Sequence, residues 1–182
     1  MLKKYFRHLL RKPNRRAMVA ATLTMLCASG GVFGQQSCDE SVPEWTPTDQ
    51  FESLTADTVR DTRTGLIWMR CELGKTGKNC DGVPEYLSWD EAIEKSSQIS
   101  AAGASAWRLP NIQELLSIAE DRCIFPALNT KVFPNAESGP VWTSWLSDDI
   151  ANGAWFVHFG EGIPGVQFKG EKTAIRLVRD GS

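Results

Sequence analysis

Apolar and polar positions change period along the chain, and each change marks an expected element. Within residues 58–69 two short apolar-rich runs flank Arg63-Thr64-Gly65, the pattern of two strands joined by a turn. From Ser88 the spacing becomes helical. Trp89, Ala92, Ile93, Ser96 and Ile99 recur every three or four residues, Ser88 and Glu91 make a capping box, and Gly103 stands near the stop. A second helix is expected after Pro110, with Asn111 as N-cap and Glu114 completing its box. Ile112, Leu115, Leu116 and Ala119 form its buried face, and the helix should end near Cys123. Beyond it the signals are those of strands. Segments 141–145 and 154–159 flank a loop containing Asn152-Gly153, and 165–168 and 174–179 follow. Two helices followed by a run of antiparallel strands predict an α+β domain without internal repeats.

Residues 1–34 do not fit that pattern. They carry seven basic residues, from Lys3 to Arg16, and no acid, followed by a short apolar stretch and a Ser29-Gly30-Gly31 to Gly34 segment of small residues. This is the layout of an export signal, with cleavage expected after Gly34. An amino-terminal membrane anchor is the alternative, although the apolar run is shorter than the roughly 18 residues a span requires. Arg15-Arg16 is also compatible with twin-arginine export. Residues 35–50, with Pro43 and Thr46-Pro47-Thr48, read as an irregular arm, and 51–182 as the domain.

Removing the leader changes the charge. The whole chain has 20 basic and 22 acidic residues, but from Gln35 onward the count is 13 against 22, a net charge of −9. So acidic a domain repels phosphate backbones and anionic lipid, which argues against nucleic acid and membrane surfaces as partners. Cleavage also removes Cys27 and leaves Cys38, Cys71, Cys80 and Cys123. An even number of cysteines in an exported chain favours two disulfides, and with no C-x-x-C a zinc site is disfavoured. Four cysteines allow three pairings. In one of them Cys71–Cys80 closes a polar loop and Cys38–Cys123 ties the arm to the domain.

Three motifs occur in a telling order: Thr64-Gly65-Leu66-Ile67-Trp68, Ser88-Trp89-Asp90-Glu91-Ala92 and Trp107-Arg108-Leu109-Pro110-Asn111. They are followed by Phe133-Pro134, Val141-Trp142-Thr143-Ser144, Ala154-Trp155-Phe156-Val157 and a closing Ile175-Arg176-Leu177-Val178-Arg179. Over roughly residues 50–180 the chain resembles the Lcl C-terminal domain family, named after the terminal domain of a bacterial collagen-like adhesin. The Arg-Leu-Pro helix start and the terminal Arg-x-Val-Arg strand are also similar to formylglycine-generating-enzyme-like domains. The resemblance implies a C-type-lectin-like architecture in a periplasmic or extracellular module, with glycan adhesion known for the namesake. The collagen-like repeats of that namesake are absent.

The residues narrow the chemistry further. His158 is the single histidine beyond residue 34, so any Ser-His-Asp or Cys-His device must use it. Strand alternation puts it opposite Trp155, Val157 and Phe159, on the less buried face. Those enzyme classes are therefore disfavoured, and the family resemblance implies a non-enzymatic binding or adhesion module, with a glycan or an envelope or cell-surface protein as partner. A structural subunit of a surface complex is the alternative, and a formylglycine-generating-like enzyme is disfavoured because no cysteine follows Cys123. No cofactor is expected. Calcium is the one metal the lectin-like fold brings into question, and Asp148, Asp149 and Asn152, with Glu161, are the only acidic loop cluster near the predicted hairpin, which reads first as a solvated loop. Trp145, just before that loop, is the candidate for stacking on a sugar ring. Trp107, Arg108 and Arg176 are expected to be structural, Trp107 as a core side chain whose truncation costs about 3–5 kcal/mol. At least one of the two arginines should be partly buried and paired with Asp61, Glu91 or Glu114, because a buried charge requires a hydrogen-bonded partner.

Overall fold

The computed structural model describes residues 35–102 and 106–181. The expected leader and the expected helix stop at Gly103 lie outside them. Among the described residues the strands are β1 (Ser37–Cys38), β2 (Phe51–Ser53), β3 (Thr58–Asp61), β4 (Ile67–Met69), β5 (Cys123–Ile124), β6 (Pro140–Leu146), β7 (Gly153–His158), β8 (Ile163–Phe168) and β9 (Val178–Arg179). The helices are α1 (Trp89–Ala102) and α2 (Ile112–Ser117). Three antiparallel sheets result, in the orders β2-β3-β4-β9, β6-β7-β8 and β1-β5. The architecture is mixed α+β, as expected.

The β3–β4 hairpin forms where the sequence places it, because its turn is locally determined. Asp61 accepts hydrogen bonds from the Arg63 N–H (3.0 Å), the Thr64 hydroxyl (2.8 Å) and the Gln50 amide (2.9 Å), and Gly65 supplies φ +76°. Asp61 is thereby a turn residue and not the partner of a buried arginine. Both helix starts are also as expected. Glu91 accepts from Ser88 N–H and hydroxyl (both 2.8 Å), and Asn111 and Glu114 form a reciprocal box (2.7 and 2.9 Å).

The core has two parts, one on each face of β6–β7. The Val141–Val157 pair faces Leu115 and Ile118 from the α2 segment, together with Trp68, Phe133 and Phe159. The Trp142–Phe156 pair faces the opposite way, toward Ala92 of α1, Leu109, Ile175 and Leu177. Burial on both faces explains why these strands are apolar at consecutive positions and do not alternate.

Three expectations require correction. The second helix stops at Ser117, well before Cys123. Ala119 N–H closes onto Leu116 C=O and Glu120 N–H onto Ala127 C=O, so the chain turns back through a cluster of apolar residues that mimicked helical spacing. Residues 174–177 are fully buried but not a strand. Their carbonyls are taken one at a time by Trp142, Leu73 and Met69 N–H groups, and ladder pairing begins only at Val178. The arm is not irregular throughout: β1 pairs with β5 and residues 48–50 form a 3₁₀ turn. Glu120, itself buried, fixes the arm by accepting from Trp45 N–H (3.0 Å), Thr46 N–H (2.8 Å) and the Thr46 hydroxyl (2.8 Å).

Of the three pairings the structure has Cys38–Cys123 and Cys71–Cys80, spanning 85 and 9 residues. In the chain-entropy picture the long loop contributes about 4.5 kcal/mol and the short one about 2.7 kcal/mol. Alkylation and mass spectrometry of oxidised protein should accordingly find no free thiol at these four positions. Urea unfolding should show that the Cys38→Ser/Cys123→Ser variant loses more stability than the Cys71→Ser/Cys80→Ser variant. A modified Cys71 in the oxidised protein, or the reverse order of losses, would contradict this.

Candidate functional site

The β6–β7 hairpin brings together the residues expected to meet a ligand. Trp145 is exposed near the end of β6, within a register shift that places two additional residues in that strand between Trp142 and Leu146. The loop that follows is tied by Ser147 hydroxyl to Ile150 N–H (3.1 Å) and by Gly153 N–H to Ile150 C=O (2.8 Å), with Asn152 at φ +57°. Asp148, Asp149 and Asn152 are exposed on it and hold no ion pair or side-chain hydrogen bond among the described residues. No group of three or more His, Cys, Asp or Glu is gathered for a metal among the described residues. The arrangement is an open aromatic and acidic tip.

Arg108 and Trp107 occupy the segment before α2. Arg108 makes a two-pronged contact with Glu114 (2.8 Å to each oxygen) and a further bond to Asp180 (2.8 Å). The Glu114 carboxylate raises the Arg108 pKa further. Backbone pairing of Arg108 with Val178 sets Trp107 beside β9, where the Arg179 guanidinium lies 5.5 Å from the centre of the indole. Trp107 is half-buried, so the full loss of a core tryptophan does not apply to it.

Arg176 is the more deeply placed arginine. It is 0% exposed and donates to Glu72 (2.5 Å), to Met69 C=O (3.0 Å) and to Arg70 C=O, with its Cζ 4.8 Å from the centre of the Phe133 ring. Its acid is Glu72, not Asp61, Glu91 or Glu114. Glu72 lies in the disulfide-closed loop beside Lys75, also buried, whose ammonium donates to Asn135 C=O (2.5 Å) and to Glu137 (2.7 Å) and stands 3.7 Å from Glu72 Oε2. Lys75 belongs to this cluster and not to an exposed basic patch. Sequence spacing carried no signal for either residue, since Glu72 and Arg176 are 104 positions apart.

His158 ends β7 half-buried, and its Nδ1 accepts from Gly160 N–H (3.1 Å). Val157 and Phe159 are buried on the opposite face, while Trp155, expected with them, is only half-covered. The histidine serves as a turn acceptor.

The family model described as the Lcl C-terminal domain matches residues 57–179, most of the chain. The chain belongs to the Lcl C-terminal domain family. No curated protein matches it. The matched span of this Lcl C-terminal domain begins at β3 and ends at β9, and it contains the Glu72–Arg176 pair, Trp107 and the β6–β7 hairpin.

Two carboxylates make the domain's stability depend on pH. For Glu114, burial works to raise the pKa, but the Arg108 fork and the Asn111 N–H outweigh it and hold the group below its ordinary 4.5. Glu120 is lowered likewise, burial being outweighed by the Trp45 and Thr46 N–H groups. A folded pKa below the unfolded one gives stability that is complete above the unfolded value and disappears as pH falls through the folded value. The urea midpoint should therefore be flat above about pH 5.5 and fall below about pH 4.5. A Glu114→Gln/Glu120→Gln variant should be less stable at neutral pH and show a shallower acid decline. An equally steep decline in the variant would contradict the assignment.

Proposed function

We propose that this Lcl C-terminal domain is an exported, non-catalytic binding module whose ligand is a neutral glycan. The reading includes a cleaved leader at residues 1–34, a C-type-lectin-like arrangement, and a place in the periplasm or outside the cell. It requires no cofactor, and neither nucleic acid nor, once the leader is removed, a membrane is a partner. The observation that carries it is where the positive charges go. Lys169 contacts Asp90 (2.7 Å) with its ammonium 4.6 Å from the Trp89 ring centre, Lys172 is 3.6 Å from Glu91, and Lys75 is buried between Glu72 and Glu137. Arg108, Arg122 and Arg176 are likewise bound to acids. Among the described basic residues only Lys78 and Lys131 lack an acid, a carbonyl or a ring as partner. Sulfated or phosphorylated ligands are held by clustered Lys and Arg, which this surface does not supply.

A second reading, as an assembly subunit of a cell-surface complex, is favoured by one feature. Leu146, Ile150, Ile163 and Phe168, all on or beside β6–β8, are exposed apolar side chains of the kind that mark protein contacts.

On immobilised heparin at physiological salt the protein should pass through unretained. Retention that persists above about 0.3 M salt, where the screening length is well below its ~8 Å physiological value, would overturn the neutral-ligand reading.

A further inference from the structure

We infer that the glycan binds in the cleft beside Trp107, between the β3–β4 hairpin and the disulfide loop, and not on the exposed Trp145. This rests on the glycan reading above and assigns its site. The cleft has a volume of about 720 Å³, within the few hundred to about 1,000 Å³ usual for small-ligand sites. Trp107, Met69 and Leu73 are among its apolar lining residues, and Asp57, Thr58 and Thr76 among its polar ones.

Three observations select a neutral, hydroxyl-rich ring. The first is the indole. Trp107 is held by Arg108–Val178 pairing and by the Arg179 guanidinium over its ring, so an aromatic surface is presented without conformational freedom to lose. Trp145, by contrast, stands on an open hairpin. The second is the free polar groups. The Asp57 carboxylate has no hydrogen-bond donor in the described structure, and neither has the Thr76 hydroxyl, so an acceptor and a donor–acceptor are available in one cleft. The third lies at the wall. Glu72 and Lys75, both buried, are paired with each other (3.7 Å), Glu72 also with Arg176 and Lys75 also with Glu137, so the wall offers no free charge to an ionic ligand.

Charge disfavours the alternatives. A cationic ligand would meet Arg179 on the same indole, and an anionic one would meet the Asp57 carboxylate. A pyranose avoids both conflicts. Its C–H face covers the indole while its hydroxyls reach the carboxylate and the threonines.

Calorimetry of the full-length chain with maltotriose, cellotriose, lactose and N,N′-diacetylchitobiose tests this. At least one should bind, with Trp107→Ala and Asp57→Asn each weakening it tenfold or more and Trp145→Ala changing it less than twofold. Asp57→Asn removes a carboxylate that holds no side-chain contact, so it keeps the test valid should Trp107→Ala fail to fold. In the unsubstituted protein the bound sugar should also protect Trp107, and not Trp145, from N-bromosuccinimide oxidation mapped by mass spectrometry. Binding that is lost in Trp145→Ala and intact in Asp57→Asn, with Trp107 still oxidised, would overturn the site while leaving the glycan reading standing. No binding by any of the four sugars would overturn both.

Discussion

The Arg176–Glu72 ion pair is the contact on which the rest of the domain depends. A guanidinium at 0% exposure cannot be left in an apolar interior without a carboxylate and carbonyl acceptors, and this one has Glu72 together with the carbonyls of Met69 and Arg70. Those acceptors belong to the end of β4 and the chain just beyond it, while Arg176 belongs to the approach to β9. The pair therefore holds the carboxyl-terminal segment against the central sheet at the point where regular strand pairing has not yet begun. Ile175 and Leu177 carbonyls, taken by Leu73 and Met69 N–H, complete the junction on either side.

The same pair is tied to two loops outside the sheets. Glu72 sits one residue after Cys71, so the Cys71–Cys80 bridge limits the positions available to the carboxylate, and Lys75 inside that loop adds a second cation near it. Lys75 in turn reaches Asn135 and Glu137, and the Arg176 guanidinium lies over Phe133, which carries the network into the segment between β5 and β6. The proposed ligand cleft lies on this network. Its wall is the disulfide loop and its indole is fixed through Arg108–Val178 pairing and Arg179, so the rigidity of the site follows from the junction beneath it.

What was legible in the sequence was local. The β3–β4 turn, both capping boxes and the Arg108–Glu114 contact each involve residues within six positions of one another, and short-range chemistry determines them. The elements that went astray were set by distant partners. Ile118 and Ala119 have helical spacing, yet the chain turns there because Glu120 must reach back to the arm at Trp45 and Thr46. Residues 174–177 look like a strand by composition, but their backbone answers three different segments. The partner of Arg176 was not legible, because an acid 104 residues away in a loop has no pattern that announces it. The candidates Asp148, Asp149 and Asn152 lie on one exposed loop, with Trp145 in β6 just before it, whereas Trp107, expected in the core, is half-exposed in a cleft.

A double-mutant cycle on the ion pair tests its central role most directly. Urea unfolding of Glu72→Ala and of Arg176→Met, each measured alone, should show losses of about 3–5 kcal/mol, because each single change leaves an unpaired group or breaks the buried network. The double variant should lose clearly less than the sum of the two, since removing both charges together leaves neither stranded. Single losses below about 1 kcal/mol, or strictly additive ones, would show that the domain is held together elsewhere.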